Sequence, residues 1–295
     1  MSSFDKVVVI YNPKSTNDAV KIAKAFAREI ADLNPRLTAT SHAGHAEQIA
    51  FDLAEKYKHP LIVSASGDGG YNEVVNGVMR AKSEGLAKDP IIAVLPAGNA
   101  NDHGRTVQGK FSLAELIHRH SVKKMDLLKL TYEGKEGLID RYAHSYIGFG
   151  ISARAGSAIN KASKGGLSEI LAVVASLNNH RPIKIRRKGV SYKYDSLIFA
   201  NIPNMAKMLK IADKLNLTDG LFEVHKITHR PFIRRILALV HMASPLRQRV
   251  VKYSEYRFKL RTKEKVQFDG EVETLMPGTI VKVTSVKQAL KTIRK

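Results

Sequence analysis

The chain has 295 residues, of which 44% are hydrophobic and 25% charged, proportions of a folded globular protein that exclude disordered, collagen-like and low-complexity classes. Lys and Arg outnumber Asp and Glu by 48 to 27, a formal net charge of +21 that suits phosphate-bearing polymers, anionic membrane surfaces or small anions. The absence of Cys excludes a disulfide framework, a thiolate zinc site and a Cys nucleophile.

Met1 to Lys6 runs into a strand-like segment without the long apolar core of a signal peptide, so a cytoplasmic location is expected. The most apolar stretches, around Ile170 to Leu177 and Ile236 to Met242, are shorter than the roughly 20 residues that span a bilayer. Any membrane contact is expected to be peripheral. Through the first third, short β-branched runs alternate with helical periods: Val7 to Tyr11, Ala19 to Leu33, Leu37 to Thr40, His45 to Tyr57, Leu61 to Ala65, Tyr71 to Met79 and Ile91 to Leu95. That succession predicts a doubly wound α/β domain on a parallel sheet buried on both faces. Its ligand belongs at the carboxyl ends of the strands.

From about Lys123 the pattern becomes closely spaced extended runs: Met125 to Thr131, Tyr142 to Ile147, Ile183 to Lys188, Ser191 to Asn201, Leu221 to Ile227, Val250 to Arg261 and Thr279 to Val286. These predict a second, antiparallel β domain, interrupted by helical insertions near Ser152 to Leu177 and Pro231 to Met242. The expected organisation is a nucleotide-type domain over 1–123 and a β-sandwich-like domain over 124–286, with a tail over 287–295 that packs back on the first.

Chemistry concentrates at the ends of the first-domain strands. Ser64 to Gly77 reads S-A-S-G-D-G-G-Y-N-E-V-V-N-G and joins an apolar strand to a helix. Glycines there let an anion approach the backbone amides and the positive helix end; a plain Asp-Gly turn into a helix is the competing reading. Asn12-Pro13-Lys14-Ser15 and Leu95-Pro96-Ala97-Gly98-Asn99-Ala100-Asn101-Asp102 follow two other strands. All three loops are therefore expected on one rim.

On these residues the chain resembles the diacylglycerol kinase catalytic family, which includes soluble bacterial lipid kinases and sphingosine kinases within a fold group shared with NAD kinases and phosphofructokinases. The family's N-P-x-S-G, G-G-D-G-T-x-N-E-V-x-N-G, L-P-x-G-T-x-N-D-[FL]-A-R and D-G-E motifs correspond in order to Asn12 to Thr16, Ser66 to Gly77, Leu95 to Arg105, and Asp269-Gly270-Glu271. Thr40, Tyr146 to Gly150 and Thr218 to Val224 match further family segments. The resemblance implies ATP held by Asn12, Pro13, Lys14, Ser15, Thr16, Thr40, Ser66, Gly67, Asp68, Gly69, Gly70, Tyr71, Asn72, Glu73 and Asn99. It implies a catalytic Mg²⁺ met by Asp68, and a structural Mg²⁺ at Asp219 with the carbonyls of Asn216 and Leu221. Asp269 or Glu271 would be the proton acceptor across a cleft, the two sharing one face if the segment is extended. Glu73 reads equally as a helix cap or a metal-side carboxylate.

Departures from the family pattern are Ser66 for Gly, Gly70 for Thr, Thr16 for Gly and Asn99 for Thr, with His103-Gly104 for Phe-Ala. The implied activity is transfer of the γ-phosphate of ATP to a lipid hydroxyl. Diacylglycerol is the default acceptor, with sphingoid bases, monoacylglycerol and phosphatidylglycerol as others. The rivals are an NAD kinase and a non-catalytic membrane or nucleotide binder. No H-E-x-x-H spacing supports zinc chemistry, and His42 and His45 read as loop or cap residues. No aromatic-rich basic stripe or helix-turn-helix supports specific nucleic-acid readout. Basic clusters at Lys184 to Lys188, Arg230 to Arg235 and Arg247 to Lys252 suit an anionic lipid surface, and a homodimer, common in the family, stays open.

Overall fold

The computed structural model describes residues 4–15, 18–98, 101–135, 137–151, 181–205, 209–210, 216–229 and 251–295. It divides into two compact units, Met1–Leu127 with Lys287–Lys295, and Leu128–Val286. The helical insertions expected at 152–177 and 231–242 lie outside the described residues, as do Thr16, Asn99 and the basic run 230–235.

The first unit runs β1 (Lys6–Tyr11), α1 (Ala19–Glu29), β2 (Arg36–Ala39), α2 (His45–Lys56), β3 (Pro60–Ser66), α3 (Asp68–Ser83), β4 (Ile91–Pro96), α4 (Asp102–Gln108) and α5 (Leu113–His118). Its sheet is parallel in the order β2-β1-β3-β4. The last residues of the chain add a further parallel strand beside β4, Lys291 opposite Ile91 and Thr292 opposite Ile92. Val7–Ile10 and Leu61–Ala65 are buried without alternation, the pattern of strands covered on both faces. Alternation is absent because neither face meets water. Helix α1 buries Ala19, Ala23 and Phe26 at helical spacing, and α2 buries Ala46, Ala50 and Ala54. Those alanines let α2 lie close on α3: a Cβ on Gly77 would come within 2.1 Å of the Glu47 carbonyl oxygen. Gly77 is therefore fixed by helix packing.

The second unit comprises the rest of β5 (Val122–Gly134), then β6 (Gly137–Ala143), β7 (Tyr146–Gly150), β8 (Ile183–Arg187), β9 (Val190–Ala200), β10 (Asn204–Met205), β11 (Leu209–Lys210) and β12 (Phe222–Thr228). It continues with β13 (Val251–Tyr253), β14 (Glu255–Leu260), β15 (Glu264–Phe268), β16 (Glu271–Leu275) and the start of β17 (Ile280–Ile293). The main order is β16-β15-β7-β9-β8-β14-β17, with antiparallel registers between neighbours. Here alternation is clean: Tyr256, Phe258 and Leu260 of β14 are buried while Glu255, Arg257 and Lys259 are exposed. Phe149, Phe199, Tyr256 and Phe258 meet edge to face or stacked at 5.3 to 6.3 Å within this core.

The single strand expected over Tyr142 to Ile147 is two, β6 and β7. The amides of His144, Ser145 and Tyr146 between and at the start of them donate to the Asp269 carboxylate. A side chain thus takes the bonds that a strand partner would have taken. Among the described residues no helix is long and apolar enough to cross a membrane.

Candidate active site

A cavity of about 380 Å³ lies at the carboxyl end of the parallel sheet. Asn12 and Lys14 reach it from the loop after β1, Thr40 from the loop after β2, Ser66 from the end of β3, and Gly70 and Glu73 from α3. These expected residues come together because parallel strands deliver their following loops to one rim. The first loop is tight: Lys14 N donates to Asn12 Oδ1 at 2.9 Å and Ser15 N to the Asn12 carbonyl at 3.1 Å. Thr40 N donates to the Tyr11 carbonyl at 2.9 Å, tying the first two loops together.

The loops after β3 and β4 touch through backbone. A Cβ on Gly98 would lie 2.3 Å from the Gly67 Cα, and one on Gly67 would lie 3.1 Å from the Gly98 Cα. A side chain at 98 is therefore excluded, and one at 67 would need the Gly98 backbone to give way by a few tenths of an ångström. Asn101, at φ 53°, clamps its own loop, accepting from Gly98 N at 3.0 Å and donating to the Gly98 carbonyl at 2.7 Å. No side chain caps the start of α3, where Gly67 is the N-cap. Lys14 and Gly70 of the first α3 turn line the same cavity, and helix-start amides with a nearby ammonium are a combination that suits an anion.

Two departures from the family pattern are one change. A Cβ on Gly70 would stand 2.7 Å from Ser66 Cβ and 2.8 Å from Ser66 Oγ. Ser66 thus fills the space that a threonine at 70 would need, and brings a hydroxyl with it. That hydroxyl lies 2.7 Å from Ser64 Oγ and donates to the Gly67 carbonyl at 3.0 Å.

The carboxylates hold helix ends. Asp68 accepts from Asp102 N at 3.4 Å and His103 N at 3.3 Å, the first amides of α4. Glu73 accepts from Ala46 N at 3.1 Å in the first turn of α2, whose own N-cap is Gly44. Capping, one of the two sequence readings of Glu73, is therefore present in the structure. Tyr71 and Asn72 do not line the cavity. The inward face of α3 buries both: Tyr71 stacks on His103 at 5.0 Å, and Asn72 accepts from Asn76 Nδ2. Pro13 is exposed in the first loop.

Sequence reasoning missed Ser41, His42, Ser64 and Ala43 of the cavity wall and the clamp made by Asn101. The run Thr40 to Ala46, T-S-H-A-G-H-A, was the available signal for Ser41, His42 and Ala43. Within it His45 acts as a loop and cap residue, its Nδ1 accepting from Ser41 N at 3.0 Å and lying 2.9 Å from Ser41 Oγ.

In the second unit Asp269 and Gly270 form the two-residue turn between β15 and β16, at φ 48° and 103°, the geometry of a tight hairpin. The segment is a turn rather than extended, so the condition under which Asp269 and Glu271 would share a face is not met. Asp269 has no exposed surface and accepts from Ser145 N at 3.1 Å and Tyr146 N at 3.0 Å, besides His144 N. Burial pushes its carboxyl up to about 7, against the pull of those three amides. Glu271 is exposed at the start of β16.

The 216–221 turn is closed by its own side chains: Asp219 Oδ1 accepts from Leu221 N at 3.0 Å, and Asn216 Oδ1 from Thr218 N at 3.1 Å. The Lys252 ammonium stands 3.5 Å from Asp219 Oδ2, so the turn already draws a positive charge. One carboxylate beside carbonyl oxygens is a donor set that suits a hard cation. Among the described residues no three His, Asp or Glu side chains gather as a metal cage. An ion carried by phosphates, which needs only one or two carboxylates, fits that chemistry better at Asp68.

Residues 6–130 match the family model of the diacylglycerol kinase catalytic domain. Over that stretch the chain is similar to the diacylglycerol kinase catalytic family. It is 25% identical over 289 residues to a diacylglycerol kinase of Bacillus subtilis (strain 168), covering 92% of each chain. With a diacylglycerol kinase of Staphylococcus carnosus (strain TM300) it shares 33% identity over 122 residues, 39% of this chain and 38% of that one. The fold is that of a solved diacylglycerol kinase from Bacillus anthracis str. Sterne, with a TM-score of 0.70 at 17% identity over 100% of this chain and 98% of that one. Yeast NADH kinase follows at a TM-score of 0.52 and 14% identity, over 99% and 84%. An NAD kinase-like α/β unit and an antiparallel β unit therefore make up the architecture, and the similarity to diacylglycerol kinases supports lipid kinase as the enzyme class.

Proposed function

We propose that the protein transfers the γ-phosphoryl group of ATP to the hydroxyl of a lipid, with a diacylglycerol-like acceptor. The observation that carries this reading is the cavity at the ends of β1 and β3, where Asn12, Lys14, Thr40, Ser66 and Gly70 surround the uncapped start of α3. Phosphoryl transfer requires positioning and charge neutralisation rather than covalent chemistry from the protein. Lys14 and the α3 amides would neutralise phosphate oxygens, while Gly67 and Gly98 let them approach the backbone. Magnesium, held on the phosphates and met by Asp68, would supply further neutralisation of the transferring group. A structural magnesium would be held at Asp219 with the carbonyls of Asn216 and Leu221.

Glu271 is assigned as the proton acceptor. It is the exposed member of the Asp269–Glu271 pair, whereas Asp269 has no exposed surface. The acceptor hydroxyl gives its proton to the Glu271 carboxylate, its oxygen forms a bond to the γ-phosphorus, and the bond to the bridging oxygen breaks to release ADP. Asp269 holds the turn that carries Glu271.

Purified protein incubated with γ-labelled ATP, magnesium and diacylglycerol in mixed micelles should move label into the lipid fraction. The same incubation with NAD should leave NADP unlabelled. Label found in NADP and absent from lipid would overturn the proposal.

A further inference from the structure

The second unit carries a sheet face that its own folding does not explain. In β8, β14 and the start of β17 one face packs Ile183, Ile185, Phe258 and Val281 into the core, so the alternate residues face solvent. On that open face Arg186 stands opposite Lys259, and Arg257 opposite Lys282. Across the β8–β9 hairpin Lys184 stands opposite Lys193. Like charges directly opposed across strands destabilise a sheet. Glu255 is the single acid in β8 and β14, and it already pairs with Lys282 at 3.0 Å.

The cations form a grid, stepping about 4.8 Å between strands and about 6.7 Å between alternate residues. They are not a single stripe. A cavity of about 540 Å³ opens among them, lined by five cations, Arg186, Arg187, Lys188, Arg257 and Lys259, and one acid, Glu255, with Tyr253 on its wall. The Arg187 guanidinium lies 4.1 Å from the Tyr256 ring centroid, and its buried Nε has no hydrogen-bond partner among the described residues. An apolar side chain fringes the grid. Ile280, opposite Lys259 on that face, is 38% exposed.

We propose that this face docks the protein on an anionic lipid bilayer. A planar array of headgroup phosphates matches a two-dimensional grid of cations, whereas a nucleic-acid backbone would be tracked by one line of charge. Ile280 has a use at a bilayer interface, where apolar side chains enter beside basic ones. A second copy of the chain would bring the same positive face and is repelled. The proposal rests on the lipid-kinase reading for its purpose, since a membrane-resident acceptor has to be met at its surface, but its binding test does not.

The test is sedimentation with vesicles, without nucleotide, comparing phosphatidylcholine alone with a phosphatidylglycerol mixture. Binding is expected on the anionic vesicles only and should fall as salt rises. The double variant Arg186→Glu/Arg257→Glu should bind at least about tenfold more weakly, while Lys24→Glu/Arg28→Glu on α1 should bind nearly as the parent does. The face variant turns two opposed like pairs into opposite pairs, so its melting temperature should hold or rise, which separates lost docking from misfolding. It should phosphorylate a water-soluble short-chain acceptor at the parental rate and a bilayer-embedded one more slowly. Phosphorylation absent from both acceptors, with vesicle binding as expected, would strike the kinase reading and leave the docking face standing. Equal losses in the two double variants, binding to phosphatidylcholine alone, or RNA that displaces the protein from vesicles through the same residues would overturn the proposal.

Discussion

The two units place chemistry in opposite ways. In the parallel unit both faces of the strands are buried, so reactive groups can stand only at strand ends, where glycines give access to helix-start amides. In the antiparallel unit one face is open, and side chains on strands and in a hairpin turn are available directly. The Asp-Gly pairs show the contrast at one residue. Asp68 opens a helix and places its carboxylate on the first amides of the next helix, whereas Asp269 is sealed under the amides of His144, Ser145 and Tyr146. The dipeptide specifies a turn. What surrounds the turn specifies whether its carboxylate reaches a neighbouring helix start or is sealed inside a hairpin.

The sharpest way to break that division is to remove one carboxylate from each unit. Asp68→Ala and Glu271→Gln should each lower kcat by roughly two orders of magnitude or more, read as label transfer to lipid. Asp269→Asn should affect folding first. A variant set in which Glu271→Gln stays active while Asp269→Asn is folded and dead would reverse the assignment.

The buried carboxyl makes a pH prediction. The folded protein keeps the Asp269 proton up to about pH 7, whereas the unfolded chain releases it near the ordinary value of 3.8. Between these values the folded state binds more protons, so this residue's contribution to stability is full below about pH 4 and is lost as pH rises through 7. The loss is on the order of a few kcal/mol. Urea unfolding of the parent and of Asp269→Asn across that window should give a difference that changes steadily in favour of Asn as pH rises. Parallel curves would show that the carboxyl does not titrate there.

Much of the first unit was legible because its signals are local. Buried β-branched runs such as Val7–Ile10, and glycines after them, fix strands, loops and the rim together. The compensation between Ser66 and Gly70 was not legible, since it depends on a contact across the loop that motif comparison scores as two separate departures. Nor was the fate of Asp269, because its partners lie more than a hundred positions earlier in the chain. The cation grid was visible as Lys184 to Lys188. Its opposing rows on β14 and β17 required the register.

The Ser66–Gly70 exchange predicts a cycle. Gly70→Thr alone should cost about 1–3 kcal/mol by overpacking, since its Cβ would meet Ser66 Cβ at 2.7 Å. Ser66→Gly in the same chain should return most of that stability, with phosphoryl transfer restored because a hydroxyl again stands in the same space. Additive losses in thermal unfolding would show that the two positions are independent.

The smallest expected effect tests the remaining ambiguity of the first unit. Helix α2 begins at Gly44, which has no side chain to cap it, and Glu73 supplies the missing acceptor to Ala46 N from the neighbouring helix. Glu73→Ala should therefore cost about 1 kcal/mol, the usual value of a lost cap. Glu73→Gln keeps a carbonyl oxygen for the same amide and removes only the charge. If capping is the role, Gln should match the parent in both melting temperature and label transfer. If instead Gln melts normally but transfers phosphate many-fold more slowly, the charge is needed in the cavity that Glu73 also lines, and the residue belongs with Asp68 on the side of the nucleotide's cation.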